Sequence, residues 1–123
     1  MNLLLHSSIC NMQSAIKITG SKSETNRLLL LQSLFPSITL SNTSNSDDSE
    51  VMQKALKGNQ EIVDIHHAGT AMRFLTAYFA VNEGREVVLT GSQRMTERPI
   101  QVLVKALKQL GAQITYENEE GYP

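Results

Sequence analysis

The sequence predicts a mixed α/β (α+β) fold, and two patterns carry the prediction. Short runs of alternating polarity are interleaved with longer runs of helical periodicity, and Gly, Pro or Asn punctuates the junctions. A weak internal repeat adds to this. "ITGSKS" (Ile18–Ser23) and "LTGSQR" (Leu89–Arg94) both run strand, Thr-Gly-Ser, basic residue, helix. "QSLFPSITLSN" (Gln32–Asn42) aligns with "KQLGAQITYEN" (Lys108–Asn118). The spacer between the two matches differs by five residues, and together they suggest that one strand–helix unit is used more than once.

The elements follow in order. "AIKITG" (Ala15–Gly20) alternates and stops at glycine, which predicts a strand. In "SKSETNRLLLLQSLF", Ser21 and Glu24 have the spacing of a capping box, so a helix starts there. "SITLSN" reads as a strand. "SDDSEVMQKALKG" reads as a helix with acids in its first turn and Gly58 as its stop. "EIVDI" is a strand leading into a helix over Thr70–Asn82, "EVVLTG" is another strand, and "AQITYEN" a last one. Between these, "RPIQVLVKALKQLG" puts Pro99 near a helix start, with Ile100, Leu103, Val104, Leu107 and Leu110 on one face.

Bulk properties narrow the function classes. The 123 residues suit one compact domain, and a formal net charge of −1 argues against nucleic-acid binding by bulk charge. The single Cys10 cannot form an internal disulfide, and no basic neighbour in sequence activates its thiol. "MNLLLHSSICNM" lacks the pattern of a signal peptide, and no run approaches the roughly 18 apolar residues of a membrane span. A cytoplasmic protein that binds neither membrane nor nucleic acid is expected.

Three clusters share one chemical character, small residues at a strand-to-helix turn with a fixed cation close by. They are Gly20-Ser21-Lys22-Ser23 with Arg27, Ala68-Gly69-Thr70 with Arg73, and Gly91-Ser92-Gln93-Arg94 with Arg98. Open N–H groups at a helix start, joined by Lys or Arg, suit phosphate or carboxylate. Arg73 poses the sharpest question: it lies in the first turn of an otherwise apolar helix, where a cation opposes the macrodipole. It either serves an anion or pairs with an internal carboxylate such as Asp48. Lys22 and Arg27, five residues apart, do not stack on one helix face and would reach a ligand from different sides.

Other patterns carry less. A P-loop would need glycine where Ile16 and Ser21 stand. His66 and His67, as strand neighbours, would point to opposite faces and could not share a metal ion. Asp47 and Asp48 suit a helix start as cap and dipole partners. Met72, Phe74, Leu75, Tyr78 and Phe79 read as core.

"GSKSETNR" (Gly20–Arg27), "AGTAMRFL" (Ala68–Leu75) and "LTGSQRMTERPI" (Leu89–Ile100), followed by "LVKALKQLGA", closely resemble the N-terminal signatures of the 5-enolpyruvylshikimate-3-phosphate synthase family. Order and spacing match along nearly the whole chain. The resemblance implies transfer of the carboxyvinyl group of phosphoenolpyruvate to the 5-hydroxyl of shikimate 3-phosphate, with release of phosphate, in aromatic amino-acid biosynthesis. It implies addition and elimination through a tetrahedral intermediate, with no metal and no organic cofactor. It also implies two domains built from repeated βαβαββ units, incomplete here. Residues 1–19 would then belong to the other domain, and residues 20–123 to the first unit and the start of the next.

Carried over by position, Lys22 matches the lysine between both substrates and is the catalytic candidate. Ser23 and Arg27 match shikimate 3-phosphate contacts, and Gly69 and Arg94 match phosphoenolpyruvate contacts. Asp48, Thr70, Arg73 and Arg98 match supporting positions. His67 and Phe74 depart from the asparagine and proline frequent there. The chain is expected to be the N-terminal part of a longer protein, inactive without the acid–base residues downstream and partnered by the rest of its own chain. Two alternatives stand beside this reading. One is the enolpyruvyl transferase acting on UDP-N-acetylglucosamine, whose mobile loop usually carries a reactive cysteine, whereas no Cys follows Cys10. The other is a non-catalytic βαβαββ binding module.

Overall fold

Ser21 begins the first helix by the means its sequence predicts. Its side chain accepts from the Glu24 N–H at 3.5 Å, and its carbonyl accepts from the Thr25 N–H at 2.9 Å. From there α1 (Lys22–Leu34) runs to Phe35. Ser46 caps α2 (Asp47–Lys57) in the same way, accepting from the Ser49 N–H at 3.4 Å. Asp47, Asp48 and Glu50 lie in the first turn of α2 and Lys54 and Lys57 in its last, so its charges complement the helix dipole at both ends. The computed structural model describes Leu4 and residues 15–123. Cys10 and most of the segment 1–19 lie outside them.

The remaining elements are β1 (Ile62–Asp64), α3 (Gly69–Ala80), β2 (Val88–Thr90), α4 (Gln93–Thr96) and α5 (Gln101–Gln109). β1 and β2 pair in parallel, with Val63 opposite Leu89, and α3 is the crossover between them. The ladder runs on beyond the strands: Ile65 N–H donates to the Thr90 carbonyl at 2.9 Å, and Ser92 N–H to the His66 carbonyl at 2.8 Å.

α3 touches α1, α2, α5 and β2, and this explains a helix that is apolar on almost every face. Met72 and Leu75 are fully buried in it, beside Met52 of α2, Ile65 after β1, Met95 of α4 and Val104 of α5. Each such side chain contributes on the order of 1.5–3 kcal/mol of burial.

Several sequence expectations are corrected. "AIKITG", "SITLSN" and "AQITYEN" form no strand among the described residues. A strand needs a partner edge, and none lies beside them among the described residues. Ile16 and Ile18 are accordingly 67% and 77% exposed. Leu40, Ile114 and Tyr116 still turn inward and pack on the core, so the alternation survives without the ladder. Leu110 is 85% exposed, because it follows the last turn of α5 and lies off the face that buries Ile100 and Val104. His66 and His67 sit in a turn after β1, and His66 has a φ of +50°. Among the described residues, no helix is long and apolar enough to cross a membrane.

Candidate active site

The continued β1–β2 ladder sets the Ala68-Gly69-Thr70 turn beside the turn at Gly91–Arg94, while α1 and α2 approach α3 from the other side. The three basic clusters therefore converge on two adjoining clefts. One, of about 680 Å³, is lined by Lys22, Arg27, Asp48, His67, Gly69, Thr70, Arg73, Phe74, Arg98 and Pro99. The other, of about 510 Å³, is lined by His67, Ser92, Arg94, Met95 and Arg98. His67 and Arg98 belong to both. Five of the chain's 11 Lys and Arg residues meet here against the single carboxylate of Asp48, in a protein of net charge −1. Charge is segregated into the clefts, and crowding cations at open walls favours a multiply charged anion.

The cations divide by what they already touch. Lys22 Nζ lies 3.7 Å from Asp48 Oδ2, so Asp48 steadies Lys22. Arg73 donates to the Gly69 carbonyl at 3.1 Å and to the Pro99 carbonyl at 3.4 Å. Of the two roles open to Arg73, pairing with Asp48 is not formed. Its guanidinium ties the start of α3 to the segment leading into α5, and it still borders the cleft. Arg27 donates to the Ser23 carbonyl at 2.7 Å and lies over the Phe74 ring, 5.4 Å from its centroid. The side chains of Arg94 and Arg98 have no hydrogen-bond or ion-pair partner among the described residues.

Ser23 is exposed and is not among the residues lining the cleft, entering the arrangement only through the carbonyl that holds Arg27. Gly69 lies against Arg98. A Cβ there would lie 2.6 Å from Arg98 Nη1, so its bare backbone leaves room for that guanidinium. Ala68 offers no side-chain oxygen, and no side chain caps the start of α3, unlike α1 and α2. Uncapped N–H groups and the Arg98 guanidinium thus flank one turn.

Beyond the three clusters, His67, Phe74, Met95 and Pro99 also line the clefts. His67 stands two residues before Gly69, at the position where it departs from the family's asparagine, and that closeness to the turn is the signal for its place in the clefts. Among the described residues, no group of three or more His, Cys, Asp or Glu side chains is placed to hold a metal ion.

The family model described as EPSP synthase (3-phosphoshikimate 1-carboxyvinyltransferase) matches residues 53–123. The chain is 48% identical over 112 residues to the 3-phosphoshikimate 1-carboxyvinyltransferase of Bacteroides fragilis, covering 90% of this chain and 27% of that protein. It is 39% identical over 150 residues to that of Shewanella woodyi, covering 100% of this chain and 35% of the relative. The corresponding protein of Paraburkholderia phytofirmans is 42% identical over 132 residues, with 88% of this chain and 30% of the relative covered. The chain thus spans 27% to 35% of the length of these relatives. Family match and relatives agree with the three motifs gathered at the clefts, and the chain belongs to the EPSP synthase family.

Proposed function

We propose that this chain supplies the N-terminal share of an active site that transfers the carboxyvinyl group of phosphoenolpyruvate to the 5-hydroxyl of shikimate 3-phosphate. The observation that carries the reading is the meeting of five cations, from turns far apart in sequence, on two adjoining clefts. Both substrates are polyanions, and two adjoining basic clefts suit two of them side by side. Lys22 lies between the two ligands, polarised by Asp48. Arg27 and the Ser23 backbone receive the phosphate of the shikimate ligand. Arg94, with the Gly69–Thr70 turn, receives phosphoenolpyruvate, and Arg98 adds field to both clefts. Arg73 holds the turn in shape.

The 5-hydroxyl gives up its proton as its oxygen adds to C2 of phosphoenolpyruvate and C3 gains a proton. The tetrahedral intermediate then loses a proton from C3 and phosphate from C2. Fixed cations stabilise charge on both phosphates throughout, most strongly once water is excluded. The proton-handling groups belong to the part of the relatives' length with no counterpart here. Residues 20–123 form the first βαβαββ unit and the beginning of the next, and residues 1–19 serve the other domain. The paired Thr-Gly-Ser turns support that division.

Backbone amide shifts of an isotope-labelled sample, titrated with shikimate 3-phosphate and in parallel with UDP-N-acetylglucosamine, test the proposal. Shifts centred on Lys22, Ser23 and Arg27 with the shikimate ligand alone are expected. Weak affinity is expected, since each missing charge-assisted hydrogen bond costs roughly 1.5–3 kcal/mol. Equal response to both ligands, or response to the sugar nucleotide alone, would overturn it.

A further inference from the structure

We propose that Phe74 is a positioning residue for Arg27, holding the guanidinium in the orientation that faces the cleft. The sequence reads Phe74 as core, and as a departure from its family's pattern. The geometry gives it a second contact. Its ring is half-buried on α3, borders the cleft and lies under the Arg27 guanidinium, whose carbon is 5.4 Å from the ring centroid. Arg27 is otherwise held only by its hydrogen bond to the Ser23 carbonyl, 2.7 Å long, among the described residues. That bond uses one of the five guanidinium N–H donors.

The two contacts act in different directions. The carbonyl anchors the fork along α1, and the ring covers one guanidinium face. Edge donors remain for a ligand. An aliphatic side chain at position 74 would bury comparable area but would present no electron-rich face. Phe74 therefore joins α1 to α3 through the cation that the proposed reading assigns to the shikimate phosphate, and on that reading alone rests the identity of the ligand. Arg73, one residue earlier, ties α3 to the Pro99 carbonyl, so adjacent residues link α3 to two different segments that line the cleft.

The experiment is a double-mutant cycle with shikimate 3-phosphate as the probe, together with the Arg27 side-chain Nε–Hε resonance in the free protein. Phe74→Leu should shift that resonance downfield as the ring current is lost, and weaken binding roughly two- to fivefold, whereas Phe74→Tyr should do neither. In an Arg27→Gln background, Phe74→Leu should have no effect on affinity. An undiminished effect there would show that Phe74 acts on the ligand or on the fold, and would overturn the proposal. So would an Arg27 resonance indifferent to Phe74→Leu. Absence of binding by the parent chain would count against the functional reading instead, and the Arg27 resonance would still decide the contact.

Discussion

The two Thr-Gly-Ser turns begin alike in sequence and end in different states. At both, the glycine faces the carbonyl of a residue with left-handed backbone: Asn42, with a φ of +52°, opposite Gly20, and His66, with a φ of +50°, opposite Gly91. At both, a helix follows. The second turn, however, leaves a paired strand, its Ser92 N–H is bonded to His66, and Met95 behind it is only 1% exposed. The first leaves a segment with no partner strand among the described residues, and its apolar Ile16 and Ile18 face solvent. Turn and cap are local properties that the chain carries within a few residues. A strand is a property of two segments, and it exists only where the second is present.

The largest expected effect tests this directly. Alanine at Gly91 would bring a Cβ within 2.5 Å of the His66 carbonyl oxygen and 2.9 Å of Met95 Cβ, between groups fixed by the ladder and the core. Urea unfolding of Gly91→Ala should show a loss of about 1–3 kcal/mol. Gly20→Ala also meets a carbonyl, that of Asn42, but the segment before it belongs to no ladder among the described residues and is tied by the Thr19 hydroxyl to Asn45 Oδ1 at 3.2 Å, so a smaller loss is expected. Equal losses would mean that the first turn is as firmly held as the second, and the comparison would fail.

The same contrast bounds what could be read from the sequence. The starts of α1 and α2, the β1–α3–β2 unit and α5 were legible, because caps, acids in a first turn and apolar periodicity act within one helix length. The strands expected at Ala15, Ser37 and Ala112 were not, since alternation marks a face to bury and says nothing of a partner edge. The candidate site was legible as a set of cations at three turns. Their division of labour was not: that Arg73 is spent on two carbonyls, that Gly69 makes room for Arg98, and that Phe74 underlies Arg27 are facts of three-dimensional neighbourhood.

A second, smaller effect separates the serines of the two turns. Ser21 accepts from the Glu24 N–H, whereas Ser92 makes no side-chain cap bond and its hydroxyl is buried without a partner. Ser21→Ala should therefore cost about 1 kcal/mol in thermal or urea unfolding. Ser92→Ala should be neutral or mildly stabilising, because it removes a buried group that lacks a hydrogen bond. The reverse order would show that Ser92 holds its turn through a contact made only when the cleft is occupied or the chain rearranges.

The smallest effect concerns the second pair of matching stretches, where Leu40 and Tyr116 occupy aligned positions and both pack on the core. Tyr116 brings a hydroxyl that is buried without a partner, and Lys108 Nζ lies 5.5 Å from its ring centroid. Burial, aided by the charge of Glu120, raises its pKa above the ordinary 10.0. The sign follows from linkage. The folded chain holds the phenolic proton more tightly than the unfolded chain, so this stabilisation is intact below about pH 10 and is lost as pH rises through the folded value. Tyr116→Phe should leave stability at neutral pH within about 1 kcal/mol of the parent. Its advantage should grow in alkaline solution, where the parent must ionise a half-buried group. Urea midpoints of parent and variant at neutral pH and above pH 10 provide the measurement. A constant difference between the two would show that Tyr116 ionises as freely as a solvated tyrosine, and that the inward-turning residues of this unpaired segment are no better excluded from water than its outward ones.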